Sequence, residues 1–316
     1  MHTSSETIAP EASQPRGGLH RREFLIGGVK IGLSFLALDA LALPAFAQAA
    51  APLGPFNITE PPEHLDDSLN IMAAFLAQYQ PPREPVPTAG SWRARYDILE
   101  WIGTARSPQP GVTAPYSRRN RVVGHLAVMR RPAAGPANVG YDVDYSIELN
   151  GFVSTMRASM QCGVDVIPTL REWDVDYEKH ADEAPGTAVS LSEDGLHENG
   201  VLTVKSRAGE RHIPAPRPVA PQWAVLDALR APDAASKVAD VEFDLFHNLT
   251  SFRPRQRVRP CGTLEMSLGG ATTTLHGFVQ TGSGSEPIHY WLDAEGRPLL
   301  FTGGLISYAL TAIEPA

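Results

Sequence analysis

The chain is poor in the features by which a sequence declares its chemistry. Its two cysteines, Cys162 and Cys261, are spread over 316 residues, which excludes a disulfide-dense scaffold and any thiolate-clustered metal site. Gly-x-Gly-x-x-Gly and the P-loop pattern are absent, so no nucleotide fingerprint is present. There is no Gly-x-Ser-x-Gly elbow, and no His-x-x-x-His or Glu-x-x-His helical pair. Basic residues are outnumbered, 27 Lys and Arg against 35 Asp and Glu, for a net charge of −8. That balance argues against nucleic acid and against a polybasic lipid-docking patch. A long unbroken apolar run is missing too. The best candidate, from Ile26 to Leu43, contains Lys30 and Asp39, each costing about 2.5–3.5 kcal/mol at a bilayer centre, and Gly27, Gly28 and Gly32 dilute it. An uncleaved membrane anchor is therefore the weaker reading of this segment. Finally, no βαβ rhythm appears, which disfavours Rossmann and TIM architectures.

What is present begins at the N-terminus. His20-Arg21-Arg22-Glu23-Phe24-Leu25 resembles the twin-arginine export signal, in which Phe24 and Leu25 follow the Arg21-Arg22 pair after one residue. The apolar stretch ends in Pro44-Ala45-Phe46-Ala47, where Ala45 and Ala47 form a small-x-small pattern that a signal peptidase cuts before Gln48. The resemblance implies a signal peptide over residues 1–47, export machinery and signal peptidase as partners, and a periplasmic protein exported already folded. It also implies no stable membrane span after cleavage. The leader's four basic residues (Arg16, Arg21, Arg22, Lys30) balance four acidic ones (Glu6, Glu11, Glu23, Asp39), so removing it leaves the net charge of −8.

Residues 48–90 read as a linker and an N-terminal helix, and residues 91–316 as an antiparallel β domain. Asp66, Asp67 and Ser68 are helix-start residues, Leu69, Met72, Ala73, Leu76 and Tyr79 form one stripe, and Pro81-Pro82 stops the helix. From Tyr141 onward, apolar and polar residues alternate up to Asn150-Gly151, a two-residue hairpin signal. Pairing Leu149 with Phe152 puts Tyr145 opposite Met156 and Val143 opposite Ala158 on an apolar face, with Asp144 opposite Arg157 on the wet face. Alternation returns at Trp173, Val175 and Tyr177, and tight turns recur at Asn199-Gly200 and Ala208-Gly209. A short helix is expected from Gln222 to Arg230, with Trp223, Leu226 and Leu229 on one face. Strands follow at Val241–Phe246, Val258–Leu268, a hairpin from Thr272 to Leu292, and one last strand near Leu299–Leu310. The run Arg253-Pro254-Arg255-Gln256-Arg257-Val258-Arg259 has the period of a strand with one basic face, read as a charge-protected edge.

The final hairpin carries the most suggestive side chains. With Gln280 opposite Pro287, His276, Phe278, His289 and Trp291 share one face, a combination suited to lining a ligand pocket. The same four residues serve a half-wet surface equally well. An enzyme of hydrolase, lyase or isomerase type would use His276 and His289, with Tyr290 or His247, as acid and base in a barrel mouth. No metal or other cofactor is called for. In an oxidising compartment Cys162 and Cys261 are expected to pair, closing a loop of about 100 residues worth about 4–5 kcal/mol in the chain-entropy model; two separate buried thiols are the alternative.

The stretch Tyr290-Trp291-Leu292-Asp293-Ala294-Glu295-Gly296-Arg297-Pro298-Leu299 resembles the closing hairpin of periplasmic sheet proteins related to LolA-type lipoprotein carriers and to exported families of unknown function. The likeness covers residues 120–310 in layout: a meander, a Pro-flanked helix, then more strands. It implies a strongly curved, half-open sheet with a helix across its mouth, binding apolar chains or serving envelope maintenance. The resulting expectation is a mainly β protein: a curved antiparallel sheet or half-open barrel, with one N-terminal helix and one short helix packed on it. It holds a hydrophobic or amphipathic, lipid-like ligand on its concave face. An accessory subunit exported with a partner is a further reading of the same leader.

Overall fold

Alternation dictates the first half of the fold. Tyr141, Val143 and Ile147 are buried, while Asp144 and Glu148 between them are exposed. The hairpin forms in the expected register, Leu149 opposite Phe152, Tyr145 opposite Met156 and Asp144 opposite Arg157. Gly151 turns it with φ +76°, in the left-handed region that glycine enters without a Cβ clash. The computed structural model describes residues 69, 72–84, 90–102, 119–133, 135, 138–149, 151–230, 233–239, 241–303 and 306–316. The expected leader (residues 1–47) and the helix-start residues Asp66, Asp67 and Ser68 lie outside them.

Helix α1 spans Ala73–Leu76. The strands are then β1 (Trp92–Ile102), β2 (Arg119–Pro132), β3 (Asn138–Leu149), β4 (Phe152–Gly163), β5 (Thr169–Ala181), β6 (Ala184–Glu198), β7 (Val201–Ser206), β8 (Gly209–Pro214) and β9 (Val219–Pro221). Helices α2 (Gln222–Leu229) and α3 (Ala234–Val238) follow. The chain closes with β10 (Glu242–His247), β11 (Ser251–Leu268), β12 (Ala271–Thr281), β13 (Ile288–Leu292), β14 (Pro298–Gly303) and β15 (Ile306–Pro315). All fifteen strands join one sheet, in the order β8-β7-β6-β5-β4-β3-β2-β1-β15-β14-β13-β12-β11-β10-β9. Only the β9–β10 pair is parallel. A mainly β, curved antiparallel sheet is thus the architecture of this chain.

The curl is visible in contacts between strands far apart in that order. Trp173 on β5, fourth in the row, packs edge-on against Phe246 on β10, fourteenth, at 5.2 Å between centroids. Such a contact requires the sheet to roll until its inner faces meet. The inner face is the one bearing Tyr141, Tyr145, Met156, Met160, Trp173 and Tyr177. Helix α2 lies against it, and Asp227 on that helix accepts a hydrogen bond from the Tyr141 hydroxyl at 2.7 Å. Seven of the eight α2 residues are buried, all but Asp227. The expected single apolar face of this helix is therefore too modest: the helix is enclosed all round, as a core helix is. In α1 and its flanks the predicted stripe Leu69, Met72, Leu76 and Tyr79 is buried. The Tyr79 hydroxyl donates to the Leu310 carbonyl at 2.7 Å, which ties this segment to the last strand.

Four expectations need correction. The arginine-bearing strand is no edge: β11 lies between β10 and β12. Arg253 is buried, and Arg257 donates to Glu242 on β10 at 2.7 Å, a cross-strand ion pair. The true edges are β8 and β9. Cys162 and Cys261 form no disulfide; both are free and buried. They belong to the fifth and thirteenth strands in the sheet order, with Cys162 near Asp227 and Arg171, and Cys261 against Gly277. The last predicted strand is two, β14 and β15, paired from Leu300–Ala309 to Gly303–Ile306. Helix α3 was not anticipated.

Two tryptophans cover glycines across the ladder. Trp173 lies opposite Gly195, and Trp291 opposite Gly277. A Cβ at Gly195 would stand 2.4 Å from the Trp173 ring and 2.3 Å from the Thr203 carbonyl oxygen. Gly195→Ala is expected to cost about 1–3 kcal/mol by overpacking. Urea unfolding checks this; an unchanged midpoint would show that the indole does not rest on that glycine.

Candidate functional site

The hairpin that carries the predicted site is offset by one residue from the expected register. Gln280 faces Ile288, not Pro287, because the connection takes in residues 281–287. A slip of one position turns every side chain of one strand to the opposite face. His276 and Phe278 therefore share a face with Tyr290 and Leu292, while His289 and Trp291 lie on the other with Gly277 and Val279. The four residues His276, Phe278, His289 and Trp291 do not converge. His276 is exposed, His289 half-buried, and Phe278 and Trp291 are buried. Burial lowers the His289 pKa. His247 sits elsewhere, at the end of β10. Burial, and after it the Arg253 charge, push its pKa down to about 3. Tyr290 is committed to structure: its hydroxyl donates to Gln280 Oε1 at 2.8 Å, and Gln280 Nε2 donates to Gln256 Oε1 at 3.2 Å. The acid–base pair imagined for an enzyme is not assembled.

What the curled sheet does assemble is a tyrosine-rich inner surface, drawn from distant strands. The Tyr145 and Tyr308 hydroxyls lie close together, bringing β3 against β15. Tyr177 on β5 lies close to Thr250 in the turn between β10 and β11. Tyr308 stacks on Phe301 at 4.1 Å, and Phe301 on Tyr290 at 6.0 Å. Burial raises the pKa of all four phenols, so they stay neutral hydrogen-bonding groups.

Beyond these rings, toward the hairpin tips, the same face opens to solvent. The register places Phe152, Lys179, Val189, Tyr177 and Leu191 side by side on it. Phe152 is 46% exposed, Val189 47% and Leu191 41%. The Lys179 ammonium sits 4.8 Å over the Phe152 ring. Leu149 and Tyr177 next to them are half-buried. Contiguous exposed apolar side chains of this kind mark contact surfaces more often than isolated ones do. Sequence alternation placed Phe152 and Tyr177 on the apolar face. Val189 and Leu191 went unnoticed because the segment Gly186–Ser192 offers few large residues.

The opposite, outer face has a groove of about 310 Å³ over β2, β3 and β4, lined among others by His125, Ser146, Glu148 and Val153. Asp97, His125 and Ser146 stand opposite one another on adjacent strands. His125 Nδ1 lies 3.0 Å from Asp97 Oδ1. Ser146 makes no hydrogen bond to that ring among the described contacts, so the row lacks the nucleophile–base bond that acyl transfer requires. Among the described residues, no group of three or more His, Cys, Asp or Glu side chains could hold a metal ion. No helix among them is long and apolar enough to cross a membrane.

Fold and site together define a curled antiparallel sheet with a helix enclosed in it and an apolar rim open to solvent. No family model matches the chain, and no curated protein matches it. Among solved structures it is similar to a β-barrel-like protein of a domain of unknown function, DUF1849, from Brucella abortus. The identity is 11%, over 72% of this chain and 98% of that one, with a TM-score of 0.47.

Proposed function

We propose that this is an exported, periplasmic binding protein that holds a hydrophobic or amphipathic ligand on the inner face of its curled sheet. The observation that carries the reading is the exposed apolar rim of Phe152, Val189 and Leu191 beside half-buried Leu149 and Tyr177. It continues the buried inner face outward, so a ligand lying there would meet apolar surface below and the Lys179 cation at its edge. The twin-arginine-like leader supports the location, and the resemblance of the closing hairpin to lipoprotein-carrier relatives supports the ligand class.

The test uses a dansylated eleven-carbon fatty acid titrated into the purified protein. Saturable fluorescence enhancement is expected. Replacing Phe152 and Leu191 together by Ser should weaken binding about tenfold, equivalent to about 1.4 kcal/mol, with little change in thermal midpoint because both side chains are exposed. No saturable uptake, together with an empty lipid mass spectrum of protein taken from its native compartment, would remove the proposal.

A further inference from the structure

We infer that the ligand class of this rim is an extended polypeptide segment, added as a strand to the free edge of β6; this rests on the proposed binding face and deepens it. Strand β6 is long, Ala184–Glu198, but β7 pairs only with Glu193–Glu198. Val189–Ser192 pair with β5 alone among the described residues, while residues 185–188 bulge out of that ladder between the Lys179–Val189 and Ala181–Ala184 pairs. Its other edge is therefore open, and Gly186 to Ser192 are all exposed. Alternate backbone N–H and C=O groups along such an edge point at solvent and accept a further strand.

The composition of this edge sets it apart. Natural edges are blunted by charge, bulges or brevity; this one has a bulge at residues 185–188 but no charge. The terminal strand β8 follows that rule, with Glu210, Arg211 and His212 exposed, and β9 has only three residues. Thr187-Ala188-Val189-Ser190-Leu191-Ser192 carries no charge at all. Two of its side chains, Val189 and Leu191, lie on the inner face beside Lys179 and Tyr177. Ser190 and Ser192 face outward, opposite Glu178 and Asp176.

These features choose the occupant. An acyl chain has no donors or acceptors for the open backbone groups, whereas an extended peptide has both at the right repeat. A second copy paired through this edge would rest on four laddered residues, Val189–Ser192. That is far short of the roughly 800 Å² per partner of a standard interface. The partner chemistry follows from the faces: a segment with apolar residues at every second position, beside Val189 and Leu191, and small polar residues between, beside Ser190 and Ser192.

The experiment uses the full chain and a fluorescein-labelled peptide of four Thr-Val repeats, followed by anisotropy, beside the same peptide N-methylated at alternate amides. Saturable micromolar binding is expected, at least tenfold weaker after N-methylation and after Leu191→Lys. Hydrogen exchange at the amides of residues 187–192 should slow with the parent peptide, and Val166→Lys, at an exposed site away from the edge, should bind as the unaltered protein does. Equal affinity of the two peptides, or protection that leaves residues 187–192 untouched, overturns strand pairing. So does sedimentation showing a concentration-dependent dimer that protects those amides without peptide. The dansylated fatty acid separates the two readings. If it binds and the peptide does not, the inner face is a lipid site and the strand inference fails alone. If the peptide binds and the fatty acid does not, the lipid form of the proposed function fails and the edge stands.

Discussion

Replacing Asp227 by Ala is expected to lower the free energy of unfolding by about 3–5 kcal/mol, the usual cost of leaving a buried charge without its partner. Asp227 is half-buried, the one α2 residue not fully enclosed, and it faces the more deeply buried Arg230 as the hub of three contacts. Its Oδ2 accepts from Arg130 Nε at 2.9 Å and from the Tyr141 hydroxyl at 2.7 Å. Its Oδ1 lies 3.7 Å from Arg230 Nη1. Arg230 is itself 7% exposed at the side chain and rests 4.6 Å over the Trp92 ring. Burial pulls the Arg230 pKa down, and Asp227 is the largest opposing influence. Without the carboxylate, Arg130 and Arg230 lose the anion that faces them, and the Tyr141 hydroxyl loses its acceptor. Asp227→Asn keeps an acceptor but no charge, so its loss should be smaller. Urea unfolding at neutral pH reads both. A loss under about 1 kcal/mol for the alanine variant would mean that water reaches these groups, and that α2 is not pinned to β2 and β3 by this carboxylate.

The same helix shows where sequence reading succeeds and where it stops. Local rules located α2 to within a residue, because Pro-rich sequence ends at Pro221 and apolar residues begin immediately after. The hairpin of β3 and β4 was legible down to its pairs, since alternation, an Asn-Gly turn and the Asp144–Arg157 pairing all agree. The hairpin of β12 and β13 was legible in existence but not in register. Its connection is too long to fix the count, and both faces are apolar enough that neither choice of register looks wrong. That ambiguity alone dispersed the candidate site built on His276, Phe278, His289 and Trp291. The contacts that close the sheet were beyond local reading altogether. Tyr145 with Tyr308, Tyr177 with Thr250 and Trp173 with Phe246 join strands remote in sequence, brought together only by the curl. The free edge of β6 was hidden for a related reason. An edge is defined by a missing neighbour, which no local pattern records. The cysteines failed by the same logic: a redox argument can favour a bond, but only the strand order shows that each thiol has other neighbours.

Acid is expected to destabilise the protein through His247, and His247→Gln to remove much of that sensitivity. In the folded chain, burial and then Arg253 hold the His247 pKa near about 3, against 6.5 for an ordinary imidazole. Between those values the unfolded chain binds a proton that the folded chain does not. Stability is therefore unaffected above about pH 6.5 and falls as pH drops toward 3, by at most about 1.4 kcal/mol per unit. Going from pH 7 to 4.5 should cost the unaltered protein about 2 kcal/mol more than the Gln variant. The comparison must be between the two proteins, because Glu193 has its pKa raised by burial. That carboxylate takes up a proton more readily folded than unfolded, which adds stability as pH falls and partly masks His247. The location gives the effect a structural reading as well. His247 opens the turn to β11, where the Thr250 amide donates to the His247 carbonyl at 3.1 Å and Asn248 and Leu249 hold positive φ of 49° and 55°. Thr250 in this turn lies close to Tyr177 on β5. A proton forced onto His247 thus loads a turn that lies beside the half-buried Tyr177 of β5. Hydrogen exchange at the Leu249 and Thr250 amides, corrected for intrinsic rates, should speed up at pH 4.5 in the unaltered protein and not in His247→Gln. Equal acceleration in both would place the acid-sensitive group elsewhere and leave the turn without a role in opening the sheet.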